Sequence, residues 1–323
     1  MESCHIVPIG PAGIGKTTLV CSVIDAMVGF LEKSGLKTLS ASVKGQDKKR
    51  LESRMAALRA ASGNLPETLI EPTAAPETCT VEIGAKSSSM FSRMLGGSLS
   101  MSMVFHDYPG SLAEDLPRFT REVARLPQAE VLLVPVDATL LMEAASPQEE
   151  VAAQALHRMT VIEELIVEWE KGRADAGRGL LIFAPVRCER FFSDNGMQAA
   201  PGEAERLSEL VINRHFLSII DIVRFFGNNI HCFYIPVDTL GNVALTEKAW
   251  SSFDNYSFRA GYAMTGAPRP FGAEMIALII LDYYIKMCRL EESGRALEEM
   301  EKNLDACVDR YRMESGYNRA LSL

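Results

Sequence analysis

Cysteine is sparse and scattered. The seven in this 323-residue chain (Cys4, Cys21, Cys79, Cys188, Cys232, Cys288 and Cys307) form no C-x-x-C pair. That argues against a zinc ribbon or a disulfide framework and predicts reduced thiols in a cytoplasmic setting. Histidine is rarer still, with five residues and no metal-ligand spacing; His106 is expected to be a packed strand residue. No apolar run approaches a membrane span, the longest being Met275 to Leu281. No signal-peptide pattern precedes the first predicted strand, which begins almost at the first residue. Basic residues are outnumbered, 33 Lys and Arg against 42 Asp and Glu, for a net charge of −9. The one basic run, Lys48-Lys49-Arg50, reads as the solvated start of a helix. A nucleic-acid footprint is therefore not expected.

The chain does carry an ordinary globular composition, 47% apolar and 23% charged, and enough length to bury a full core. Its most specific stretch is Ile6-Val7-Pro8-Ile9-Gly10-Pro11-Ala12-Gly13-Ile14-Gly15-Lys16-Thr17-Thr18. Gly10, Gly15, Lys16 and Thr17 complete the phosphate-binding pattern G-x-x-x-x-G-K-[ST]. An apolar strand precedes it, and a helical pattern with Leu19, Val20, Val23, Ile24 and Met27 follows. Glycines, Gly13 among them, let backbone N–H groups close around phosphate oxygens, and the amides of Ile14, Gly15 and Thr18 belong to the same cradle. The helix N-terminus adds unpaired donors and partial positive charge. Lys16 is expected on the β- and γ-phosphates, and the Thr17 hydroxyl on Mg²⁺.

Strands and helices alternate along the rest of the chain. Leu36 to Val43 alternates like a half-exposed strand, a helix is predicted over Asp47 to Ala61, and residues 64–77 read as loop. Thr78 to Ile83 and Leu99 to Phe105 read as two strands joined by a Ser/Gly-rich hairpin connection. Val131 to Val136 and Leu180 to Ala184 are uniformly apolar, as buried parallel strands are. One long helix is predicted from Pro147 to Lys171, another from Glu203 to Phe226, and the last strand from Ile230 to Val237. Phe271 to Leu290 reads as a helix and Glu291 to Tyr311 as an amphipathic one. The class is α/β: a doubly wound, mostly parallel sheet with one antiparallel edge strand and a C-terminal helix. One domain over 1–290, followed by an amphipathic helix and tail over 291–323, is the expected organisation.

A second motif completes the chemistry. Met103-Val104-Phe105-His106-Asp107-Tyr108-Pro109-Gly110 is an apolar strand ending in Asp, then x-x-Gly. The Asp107 carboxylate is expected to hold Mg²⁺ opposite Thr17. The Gly110 N–H is expected to sense the γ-phosphate, since only a residue without a side chain can come so close.

With both motifs in place, the chain from Ile6 to about Leu290 resembles the small-GTPase-like branch of P-loop proteins, the translation-factor and Ras-like class. The resemblance implies a switch threonine before the hairpin strands, with Thr73, Thr78 and Thr68 as candidates and Thr73 preferred as a metal ligand. It also implies a base-recognition motif [NT]-K-x-D at a strand end. Here that place reads Val186-Arg187-Cys188-Glu189, so Arg187 would lie over the base and Glu189 would accept the guanine edge donors. Val186 departs from the pattern, which leaves guanine against adenine open, with Asp194 and Asp238 as alternative carboxylates. Pro236-Val237-Asp238-Thr239-Leu240-Gly241 echoes the next family motif and brings Thr239 to the nucleotide.

The same resemblance implies GTP or GDP with Mg²⁺, ATP not being excluded, and hydrolysis. The family's water-orienting Gln falls on Ser111, which is too short to bridge to an attacking water. Glu114 is the nearby substitute, and Ala12 adds a methyl group inside the loop. Slow intrinsic turnover is the expectation. The layout further resembles bacterial conflict-system GTPases of the double-GTPase type, which implies a protein partner. Two other readings stay open: a nucleotide-binding scaffold with little hydrolysis, and a P-loop ATPase or small-molecule kinase using Arg118, Arg121 and Arg125 as a basic lid.

Overall fold

The computed structural model describes residues 3–33, 39–85, 100–114, 129–173, 178–225, 230–251, 257–291 and 295–323. At its centre, β1 (Cys4–Pro8) pairs in parallel with β4 (Ser100–Asp107) on one side and β5 (Val131–Asp137) on the other. β5 continues in parallel to β6 (Gly179–Val186), and β6 to β7 (Ile230–Tyr234). β5 and β6 are buried at every position, which explains their unbroken apolar sequence: both faces of these strands carry helices.

The alternation of side chains divides the core in two. Val131 and Leu133 of β5, with Leu180, Ile182 and Ala184 of β6, face one layer. That layer is built from α1 (Lys16–Lys33), α8 (Ala273–Glu291) and α9 (Arg295–Ser315). Leu132, Val134 and Val136, with Leu181 and Phe183, face the other. That second layer comprises α3 (Ala138–Met142), α4 (Pro147–Leu156), α5 (Met159–Arg173), α6 (Glu203–Glu209) and α7 (Leu217–Phe225). The sheet is thus doubly wound, as its period-two pattern requires. Because β1 is flanked by β4 and β5, strand order reverses beside it, and the crevice beyond its carboxyl end is where such sheets place ligands.

The antiparallel strand is not at the edge, which corrects the expected topology. β3 (Glu77–Ala85) runs antiparallel to β4, with Glu77 opposite Asp107, but β2 (Leu39–Val43) pairs antiparallel outside it. The far edge is antiparallel as well, since β10 (Leu321–Ser322) closes on β7. The full order is β10-β7-β6-β5-β1-β4-β3-β2. β7 is therefore not the last strand. A separate two-stranded sheet, β8 (Val243–Ser251) with β9 (Ser257–Met264), follows it and is absent from the sequence reading. The helix expected from Pro147 to Lys171 is also two helices. His157 caps α4 and Arg158 adopts φ 56, which no helix continues through. Likewise, the Glu203-to-Phe226 stretch is α6, a π-helical turn over Leu210–His215, and α7.

Helix α2 (Gly45–Arg59) lies over β3. Lys48 and Lys49 are solvated, while Arg50 is half-buried and donates to the Thr78 carbonyl. His106 is packed, as expected, stacked between His5 and Tyr108. All seven cysteines are free thiols. No helix among the described residues is long and apolar enough to cross a membrane. Residues 291–323 add Met300, Leu304 and Cys307 to the α1–α8 core layer. The Ser/Gly-rich connection over 86–99 lies outside the described residues.

Candidate functional site

The loop between β1 and α1 opens at the strand-order reversal. Gly13 and Gly15 have φ of 75° and 101°, a region that a β-carbon disfavours, and this curls the loop into a cradle. Ile14 turns inward and is buried beneath Gly10. α1 begins at Lys16 and carries no acidic residue in its first turn, so none of its own side chains competes for the amides of Lys16, Thr17 and Thr18. The Lys16 ammonium folds over the loop, donating to the carbonyls of Gly10 (2.9 Å) and Pro11 (2.7 Å). Burial lowers its pKa to about 8, against an opposing pull from Asp107.

Three chain segments meet beside Lys16. Thr17 of α1 and Thr73 of the loop before β3 both donate hydroxyl hydrogen bonds to Asp107 Oδ2, at 2.8 and 2.5 Å, and their oxygens lie 3.1 Å apart. Thr73 and Asp107 are both buried. The second carboxylate oxygen, Asp107 Oδ1, is buried with no hydrogen-bond partner. A buried acceptor left this way costs about 1–3 kcal/mol unless a cation or donor meets it. One carboxylate and two hydroxyls, all hard oxygens, form the set that Mg²⁺ takes together with phosphate oxygens. Of the three threonines considered, only Thr73 comes to this point. Thr78 is exposed on β3, opposite His106, and Thr68 is exposed in the loop.

Gly110 opens a 3₁₀ turn (Gly110–Glu114) and lies directly on the phosphate loop. A β-carbon there would sit 2.2 Å from Ala12 Cα and 2.4 Å from Ala12 N. Ser111 is exposed. The Glu114 side chain and Arg118, Arg121 and Arg125 lie outside the described residues.

The end of β6 forms the other half. Arg187, at φ 56, donates to Asp137 Oδ2 (2.5 Å) and to the Gly13 carbonyl (3.0 Å), which ties β6 to the phosphate loop. Asp137 also caps α3, and its backbone N–H donates to Nε2 of the buried His157 at 3.0 Å. Thr139 donates to the Arg187 carbonyl, and the guanidinium lies 5.8 Å from the centre of the Tyr262 ring on β9. Glu189 is buried, its carboxylate accepting the N–H groups of Leu240 and Gly241. Burial first, and the Asp238 charge second, push its carboxyl up to about 7. Thr239 is buried in the same loop. Asp194 and Asp238, the alternative carboxylates, are both held by Arg319.

Of the residues expected from the sequence, the fold brings Thr17, Thr73 and Asp107 together beside Lys16, seats Gly110 against Ala12 and ties Arg187 to Gly13, while Glu189 and Thr239 are buried at the end of β6 and in the loop after β7. The sequence reading missed Asp137, Tyr262 and Arg319. Asp137 had a signal, an acidic residue ending a wholly apolar strand; Tyr262 and Arg319 had none. Comparison with protein-family models and with curated proteins returns no match. Among solved structures, the chain is similar to one in the signal recognition particle receptor SRb-GTP/SRX complex from Chaetomium thermophilum, at 14% identity and a TM-score of 0.37, over 73% of this chain and 94% of that one.

Proposed function

We propose that the chain binds a purine nucleoside triphosphate with Mg²⁺, GTP in first place, and hydrolyses it slowly as a switch working with a protein partner. The observation that carries this reading is the meeting of Thr17, Thr73 and Asp107 beside Lys16, with one buried Asp107 oxygen left for a cation. Lys16 would exchange its two loop carbonyls for phosphate oxygens, a stronger charge-assisted contact. Thr17, Thr73 and Asp107 would hold Mg²⁺, which when bound supplies charge neutralisation across the phosphates. Gly110, seated against Ala12, would present its N–H where a γ-phosphate ends. Thr73 and Gly110 then sense the same group from two loops, which is the basis of a nucleotide-ordered surface for a partner.

Arg187 and Glu189 form the base subsite. Ionised Glu189 accepts two donors from guanine and none from the corresponding edge of adenine. Ser111 is exposed and too short to orient water, which favours a second reading: binding with negligible turnover by the isolated chain. Titration calorimetry with GTP, GDP and ATP, with and without Mg²⁺, tests the first reading. Mg²⁺-dependent GTP binding that disappears in Lys16→Ala is expected, and equal affinity in that variant overturns the site. Multiple-turnover phosphate release then separates slow hydrolysis from none.

A further inference from the structure

Among the described residues, Arg319 is the one buried arginine, and it comes from the end of the chain to the loop after β7. Its Nε donates to Asp194 (2.8 Å) and its Nη2 to the same carboxylate. Nη1 and Nη2 also donate to the two oxygens of Asp238, at 2.7 and 2.9 Å. The guanidinium plane is packed over Phe192 at 4.0 Å and near Phe271 at 5.1 Å. Asp238 is wholly buried and joined to Phe271 by two backbone hydrogen bonds of 2.9 Å. Two residues further on, Leu240 and Gly241 supply the amides that hold Glu189. Tyr317 secures the segment from the other side, donating to the Pro236 carbonyl at 2.7 Å.

Taken together, one cation satisfies two carboxylates, and one of them begins the turn that touches the base subsite. Without Arg319, Asp238 would be a buried, unpaired charge close to Glu189, a situation proteins avoid at large cost. We propose that Arg319 is a positioning residue for the base subsite: by holding Asp194 and Asp238 it fixes the Asp238–Gly241 turn and leaves Glu189 as the carboxylate that reads the base. This rests on the nucleotide reading above and deepens it. A consequence is that residues Tyr317–Leu323, far from the phosphate loop in sequence, set base preference without touching phosphate.

The test compares Mg²⁺-GTP with Mg²⁺-tripolyphosphate, which lacks a base, by titration calorimetry. Arg319→Lys keeps the charge but cannot span both carboxylates in a planar fork. Its expected effect is a loss of about tenfold in GTP affinity with tripolyphosphate affinity unchanged. Unchanged GTP affinity, or an equal fall for both ligands, overturns the proposal. Hydrogen exchange on the wild-type chain covers a variant that does not fold. GTP, but not tripolyphosphate, should slow amide exchange in both 238–241 and 317–323; GTP that protects 238–241 and leaves 317–323 unchanged overturns it too. A wild-type chain that binds neither ligand overturns the nucleotide reading itself.

Discussion

Gly110→Ala is the smallest change that addresses the contact between the two segments proposed to meet the phosphates. The added methyl would be 2.2 Å from Ala12 Cα, 2.4 Å from Ala12 N and 2.7 Å from Ala12 Cβ, where ordinary contact begins at 3.4 Å. Two of these three atoms are backbone, so no rotamer change relieves the overlap. The Asp107–Gly110 segment or the phosphate loop must move by about 1 Å, and overpacking of this kind costs about 1–3 kcal/mol. For a chain of this size that is a fall of roughly 1.5–4.5 °C in melting temperature. The binding effect should be larger and selective. If the Gly110 N–H meets the γ-phosphate as proposed, displacing it forfeits about 1.5–3 kcal/mol, roughly ten- to a hundredfold in GTP affinity, with GDP affected much less. Scanning calorimetry and parallel GTP and GDP titrations measure both. Ala12→Gly in the same background should not rescue, because it removes only the 2.7 Å contact. A Gly110→Ala chain with wild-type melting and an unchanged GTP-to-GDP ratio would refute the reasoning.

Other expectations follow from the same geometry. Thr73→Ala removes one of two hydroxyls on Asp107 and should raise the Mg²⁺ concentration needed for GTP binding about tenfold, measured by titration at fixed GTP; an unchanged requirement would assign the loop another role. Glu189 has a raised folded pKa of about 7, so ionisation, and with it guanine recognition, should grow from pH 6 to 8. Because Lys16, with its pKa lowered to about 8, acts on the phosphates of both nucleotides alike, the readout is the GTP-to-ATP affinity ratio, which should climb over that window in the wild type and stay flat in Glu189→Gln. The same sign means that ionising Glu189 costs folding stability as pH rises from the ordinary carboxyl range through 7. His215 runs the other way. Burial lowers its pKa to about 4, so its neutral form supports the fold above the ordinary value of 6.5 and that support is lost as pH falls toward 4. His215→Gln should flatten the acid arm of the melting temperature against pH, and an arm as steep as the wild type would clear His215 of that role.

What the sequence made legible was local. The phosphate loop, its flanking strand and helix, and the Asp107–Gly110 motif are each fixed by short spacing, and uniform burial of β5 and β6 was written into unbroken apolar runs. The β8–β9 hairpin was not legible, because its residues are mostly exposed or half-buried and so show no inside–outside alternation. The break between α4 and α5 hides for a different reason. His157 and Arg158 are ordinary helix residues, and what stops the helix there is tertiary: His157 accepts from the Asp137 backbone and is fully buried. Arg319 meets partners 81 and 125 residues away, a pairing that no local pattern announces. The preference for Thr73 over Thr78 rested on reading a strand from Thr78, one residue inside the observed start of β3 at Glu77, and such boundaries shift by a residue or two.

The hairpin that escaped the sequence also limits how far a loop can travel. β9 grips the segment upstream of Thr73: Leu65 N–H donates to the Tyr262 carbonyl and Met264 N–H to that of Gly63, both at 2.8 Å. Downstream, Glu77 is locked opposite Asp107 in the main sheet. Thr73 therefore hangs on a short rope tied at both ends. Three residues, Ala74, Ala75 and Pro76, separate it from the knot at Glu77, a reach of at most about 14 Å when fully drawn out. When Thr73 lets go of Asp107, it stays within that reach of Glu77, so its return is a matter of local search rather than refolding. Anything docking on that rope would meet a segment that opens narrowly and closes onto the same spot each time.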